Sequence, residues 1–204
     1  MRTCLTLTVL AVLFAPLAAS GAVLTLTPSP ADLYDLDHYS YYTWGINSTT
    51  AGVDLMGLPI TQATLVFKNI TNWDSSPNDL WVQLLDAAPA GVRTGNDSAA
   101  GDYFASSTYA ATGVAHAPLV DYHNIPSSPA STLRYTFDDA EMSALYRYIE
   151  NGNNFALGFD PDCHFYNSGV ELQLSYNPTP IPEPATLTLI VCGSLALIRQ
   201  RKRS

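Results

Sequence analysis

Basic residues are scarce and unevenly placed: of nine in 204 residues, Arg2, Arg199, Arg201, Lys202 and Arg203 sit at the two ends. Between residues 23 and 180 only Lys68, Arg93, Arg134 and Arg147 remain, against seventeen acidic residues, a net charge of −13. Such a body repels phosphate backbones and gains nothing from counterion release, which excludes nucleic acid as a partner. Cysteine is scarcer still. Of three, only Cys163 lies between the apolar ends, so no intrachain disulfide can form in that body even where the compartment permits one. Glycine and proline, 12 and 14 residues, follow no Gly-X-Y or other fixed period, which removes collagen-like and solenoid architectures. Charged residues make up only 13% against 47% hydrophobic, which excludes a disordered chain and supplies core for one domain.

Both ends read as addresses. Residues 1–22 open with Met1 and Arg2, run apolar from Leu5 to Ala19 and close on the small residues Ala18, Ala19, Ser20, Gly21 and Ala22. That is the pattern of a secretory signal peptide, with cleavage after Ala22 or Ser20. At the other end an apolar stretch, residues 185–198, precedes the basic cluster Arg199, Arg201, Lys202 and Arg203. As a helix it spans about 21 Å, short of the ~30 Å hydrocarbon core, so it reads as a marginal transmembrane helix. A buried core helix would place polar residues every three or four positions, whereas here only Thr186, Thr188 and Ser194 are polar. The basic tail anchors that end in the cytoplasm by the positive-inside rule, which leaves the body, residues 23–177, outside.

Within the segment 178–204 the tripeptide Pro182-Glu183-Pro184 comes first, then Ala185-Thr186-Leu187 opening a short apolar helix with Gly193 inside it, then the Arg/Lys-rich end. From about residue 180 onward this order resembles the PEP-CTERM sorting signal of Gram-negative bacteria. The resemblance implies processing at Pro182, Glu183 and Pro184 by an exosortase-type membrane enzyme. It also implies a membrane-anchored precursor, a final place at the cell surface or in the extracellular matrix, and company with exopolysaccharide. It covers only this segment and implies nothing about the fold of the body.

In the body, period-two alternation marks strands at Val23 to Thr27, Ile60 to Ile70, Leu80 to Leu85, Leu133 to Phe137, Phe155 to Phe159 and Val170 to Tyr176. The segment from Ile60 to Ile70, for example, puts Ala63, Leu65 and Phe67 on one face against Thr64 and Lys68. One helix is expected after Asp138 or Asp139 as N-cap. Met142, Leu145, Tyr146 and Ile149 fall at helical spacing, and Gly152 stands at the C-cap. Short strands joined by Asn-, Asp-, Ser-, Pro- and Gly-rich connections predict a mainly β body: an antiparallel, jelly-roll-like β-sandwich with one short helix closing one end.

Three groups of side chains carry candidate chemistry. In Asp160-Pro161-Asp162-Cys163-His164 the residues Asp160, Asp162 and His164 share parity, so an extended chain would present two carboxylates and an imidazole to Ca²⁺ or another divalent cation. Asp-Pro and Asn-Ser-Gly are also ordinary turn chemistry, in which the aspartates cap backbone NH groups. Tyr41, Tyr42 and Trp44, in an unusually aromatic run, offer ring faces on which sugars stack, or else fill the core. Cys163 lacks a nucleophile signature and reads as a small hydrophobe. The expected protein is therefore an exported, non-enzymatic, surface- or matrix-associated sandwich that works in or with exopolysaccharide, with glycan as its expected ligand. An extracellular glycan-active enzyme and a self-associating surface subunit are the alternatives.

Overall fold

The computed structural model describes residues 21–97 and 101–178. The leader up to Ser20, the Pro182-Glu183-Pro184 tripeptide, the apolar stretch 185–198 and the basic tail lie outside the described residues. Among the described residues no helix is long and apolar enough to cross a membrane.

Ten strands run in chain order: β1 (Ala22–Leu26), β2 (Ser40–Asn47), β3 (Ile60–Asn72), β4 (Asp79–Leu85), β5 (Gly91–Asn96), β6 (His116–His123), β7 (Ser131–Thr136), β8 (Asn154–Pro161), β9 (Phe165–Tyr166) and β10 (Gly169–Tyr176). They form two antiparallel sheets, one ordered β1-β10-β3-β7 with β9 also on β3, the other β5-β2-β8-β4-β6. The body is mainly β, as the alternation predicts. Ala22, assigned to the end of the leader, is already a ladder residue and faces Tyr176. Cleavage after Ser20 leaves that pairing intact.

Alternation explains how the sheets meet. Ala63, Leu65 and Phe67 of β3 and Leu172 and Leu174 of β10 point inward, against Tyr42, Trp44 and Ile46 of β2 and Phe155, Leu157 and Phe159 of β8. Phe67 meets Phe159 edge-on across the gap, centroids 5.9 Å apart at 89°. Each such side chain removed from water contributes roughly 1.5–3 kcal/mol. Among the described residues the ladders lie within residues 22–176, and residues 21–178 form one compact unit around this core.

Strand β8 breaks the alternating pattern, because it is buried on both faces. Its outer residues Ala156, Gly158 and Asp160 lie beneath a cover formed by a tight turn, Tyr103–Ala105, and a short helix, and Phe104 sits directly over Gly158. Among the described residues three α-helices occur where the body was expected to have one. Two are single-turn pieces, α1 (Ser48–Ala51) and α2 (Ser107–Ala110), started by the side-chain caps Asn47 and Ser106. The expected helix is α3 (Asp139–Gly152), whose N-cap Asp138 and Glu141 form a reciprocal capping box. It ends one residue later than the glycine implied, with Asn153 in the left-handed cap position. Its buried side includes Met142, Leu145, Tyr148 and Ile149, and the Tyr146 hydroxyl donates to the Ile60 carbonyl at the start of β3. Helix α3 therefore closes the end of the sandwich where β3 begins and β10 finishes, the end at which Ala22 and Tyr176 pair.

Candidate functional site

The opposite end, where β3 finishes and β10 begins, is built differently. Four consecutive non-glycine residues, Leu33, Tyr34, Asp35 and Leu36, hold left-handed dihedrals, with φ of 54°, 58°, 59° and 44°. An L-residue in that region costs about 1–2 kcal/mol, so the turn exists only because its surroundings impose it. Leu33 and Leu36 are fully buried. The Asp32 carboxylate accepts the Tyr34 NH at 3.1 Å, and the Asn167 amide donates to the Asp32 carbonyl at 2.8 Å. The Val170 NH donates to the Ala31 carbonyl at 2.7 Å and the Phe165 NH to that of Leu36 at 3.3 Å. With both leucines inward, Tyr34 is left outside.

A two-stranded ribbon sits beside this turn. Thr71 pairs with Tyr166 and Asn72 with Phe165, and the Trp73 NH donates to the His164 carbonyl at 2.9 Å. Period two then sorts the side chains. Asn72 and Phe165 are buried, and Trp73, His164 and Tyr166 take the other face. Asp37 ties ribbon to turn: one carboxylate oxygen holds Nδ1 of His164 at 3.0 Å and Nδ1 of His38 at 3.1 Å. His38 packs on the Tyr39 ring at 4.2 Å and His164 on the Tyr166 ring at 4.4 Å. Nε2 of His164 is buried without a hydrogen-bond partner among the described residues.

This end thus gathers most of the large apolar side chains that the described body leaves in water. Tyr39, Trp73, Tyr34 and Tyr166 are 73%, 61%, 59% and 46% exposed. They are all aromatic, and hydrogen-bonded backbone or an imidazole contact holds each in place. Backbone strain that the surroundings impose is a recurring feature of binding sites.

The residues singled out from the sequence land elsewhere or apart. Tyr42 and Trp44 are 2% and 4% exposed and belong to the core, so neither offers a ring face to a sugar. Strand parity sends both inward and Tyr41 outward. Tyr41 lies on Gly95 and is stacked against Tyr103 at 3.8 Å and 8°, so the cover already occupies it. Asp160, Asp162 and His164 do not converge. Asp160 is 1% exposed and accepts the Tyr103 NH at 2.6 Å. Burial, with Asp97 and Asp102 nearby, pushes its carboxyl up to about 7. Asp162 accepts the Asp79 NH at 2.7 Å, and His164 takes Asp37. Shared parity ends with β8 at Pro161, after which the chain bends. Among the described residues no three His, Cys, Asp or Glu side chains gather in a way that would hold a metal ion. Cys163 packs against the core, and burial raises its thiol pKa, the reverse of an activated nucleophile.

In the sequence Tyr34, Tyr39, Trp73 and Tyr166 stand among the body's many aromatics that favour sugar binding, but nothing there sets them apart from the rest. The available signal was local: each is an aromatic residue set among Asp, Asn, Ser or His in a connection. Comparison with known proteins returns no match, neither a family model nor a curated relative.

Proposed function

We propose that this protein is an exported jelly roll that binds glycan through its aromatic end and works within an exopolysaccharide matrix. The observation that carries the reading is the concentration of exposed Tyr34, Tyr39, Trp73 and Tyr166 at one end of an otherwise well-covered sandwich. Sugar rings present CH faces that stack on such rings, and the polar tips and flanking carboxylates accept hydroxyl hydrogen bonds. The strand order supports the jelly roll: β1-β10-β3-β7 faces β2-β8-β4-β6, two interlocked Greek keys with β5 as an added edge. The leader and the PEP-CTERM-like segment support export, membrane anchoring and processing by an exosortase-type enzyme.

Binding rather than hydrolysis fits the carboxylates. A glycosidase sets a protonated carboxyl opposite an ionised one about 5–10 Å away, both facing the substrate. The carboxyl lifted to about 7, that of Asp160, is shut beneath the cover instead. At the aromatic end Asp37 holds two imidazoles, while Asp32 and Asp74 hold neighbouring backbone NH groups.

The test is a panel of polysaccharides presented to the body, residues 21–178, with Trp73→Ala and Tyr166→Ala alongside. Retention of the parent on at least one glycan, lost by about tenfold or more in each variant at unchanged thermal midpoint, is the expected result, because one base- or sugar-stacking ring contributes about 1–3 kcal/mol. Release of shortened sugars would move the protein to the enzyme class. Concentration-dependent assembly without glycan retention would make it a structural subunit.

A further inference from the structure

We propose that the glycan taken by this end carries free ammonium groups, as an amino-sugar polymer that is not fully acylated does. The inference rests on the glycan-binding reading and adds the ligand's charge.

Each of the four Lys and Arg residues of the body has a partner of its own. Lys68 faces Gly169, where β10 begins, and so lies towards the aromatic end, but its charge is paired with Glu171 on the outer face of the first sheet, where Arg134 reaches Gln173 at 3.3 Å. Arg93 turns back on the Val92 carbonyl at 2.7 Å in β5, and Arg147 lies 5.8 Å from the Tyr148 ring on α3, at the closed end. The aromatic end carries Asp32, Asp35 and Asp37 in one six-residue stretch and Asp74 beside Trp73. None of these four is an ion-pair partner of a Lys or Arg among the described residues.

Two attractive terms therefore act on a cation at this place that do not act on a neutral sugar. Ring faces are the negative pole of an aromatic quadrupole, so an ammonium over Trp73 or a tyrosine gains a cation–π interaction that a neutral substituent lacks. The carboxylates add a field of the same sign, which steers cations in and turns sulfated or uronate polymers away. A neutral sugar keeps the stacking and its hydroxyl hydrogen bonds but gains neither of these terms. The half-exposed Asp37 carboxylate, which takes both histidines through Oδ1, leaves its second oxygen for an ammonium NH.

The experiment measures binding of the body to three oligosaccharides of equal length: a glucosamine oligomer with free amines, its fully N-acetylated counterpart and a uronate oligomer. The expected order is free amine at least about tenfold tighter than N-acetylated at low salt, with the uronate weakest. The advantage shrinks as salt rises, since exposed charges are screened within ~10 Å at 0.1 M. Trp73→Ala weakens both amino-sugar ligands. The double variant Asp35→Asn/Asp37→Asn lowers the ratio of free-amine to N-acetylated affinity towards one, and Asp74→Asn lowers it in part. Glu150→Gln, the same charge change on α3, leaves the ratio alone. Equal affinity for the free-amine and N-acetylated oligomers overturns the ammonium preference and leaves the glycan reading standing. Binding of the free-amine oligomer that survives both Trp73→Ala and Tyr166→Ala overturns the site. Failure to bind any glycan, in a body whose thermal midpoint shows it folded, overturns the glycan reading and this inference with it.

Discussion

At the scale of single residues, Asp160 shows how burial turns a surface-type side chain into a pH-dependent structural element. Its usual pKa is 3.8 and its folded value is about 7, chiefly because burial disfavours the charge and secondarily because Asp97 and Asp102 stand nearby. Between those values the folded chain keeps a proton that the unfolded chain has released. Stability therefore falls as pH rises from about 4 to about 7 and levels off above, by up to about 1.4 kcal/mol per pH unit crossed. Asp102, Asp121 and Asp162 are raised as well, each first by burial, and add slope of the same sign. Asp160→Asn keeps an oxygen for the Tyr103 NH and removes the titration. Urea midpoints at pH 5 and pH 8 should therefore differ clearly in the parent, with the lower midpoint at pH 8, and less in the variant. An unchanged difference in Asp160→Asn would locate the slope elsewhere. The neighbouring question of a cation is settled by similar measurements. Asp160, Asp162 and His164 have separate partners, so the thermal midpoint should be the same in EDTA, Ca²⁺ and Zn²⁺. Asp162→Asn should cost about 1 kcal/mol with or without chelator, the value of one hydrogen bond. A midpoint that drops in EDTA, and does so only while these three residues are intact, would restore the metal reading.

At the scale of elements, what was legible in the sequence is what one wet face makes legible. The strands β1, β3, β4, β7, β8 and β10 were visible in alternation or apolar runs, and α3 in its cap and spacing. Strand β2 was not, because its central residues are buried on both faces: the cover lies over it near Tyr41, and Pro89 crosses close to Gly45. In β5 the glycines 91 and 95 dilute the pattern, β6 contains Pro118, and β9 has only two residues. The aromatic end escaped for a different reason. Three of its rings lie in connections without a period and Tyr166 in a two-residue strand too short to show one, and the Asp37–His164 contact joins residues 127 positions apart. The cover over β8 carries a prediction of its own. A Cβ on Gly158 would stand 2.6 Å from the Phe104 ring, whose side chain is fully buried. Gly158→Ala should destabilise by about 1–3 kcal/mol through overpacking. Because the two residues share one space, Gly158→Ala should cost less, or nothing, in a Phe104→Ala background. Additive losses in a denaturation double-mutant cycle would mean that the ring and the glycine do not compete for that space.

At the scale of the whole molecule, the first and last paired residues of the described body, Ala22 and Tyr176, meet at the α3 end, and the exposed rings lie at the other. The tripeptide of the sorting resemblance and the exposed rings are separate sets of residues, so processing and binding should be separable. Glu183→Ala removes the only charge from the Pro182-Glu183-Pro184 tripeptide, the feature that the sorting resemblance assigns to the exosortase-type enzyme, and leaves every residue of the ladders untouched. The variant should stay in the membrane fraction at the mass of the leader-cleaved precursor, with the thermal midpoint of its body unchanged. It should also retain glycan as the parent does once the membrane is dissolved. Trimming and release of Glu183→Ala at the parental rate, followed by immunoblot of membrane and medium fractions, would remove the sorting role from the tripeptide. Loss of glycan retention in the uncleaved form would instead show that processing and binding are coupled.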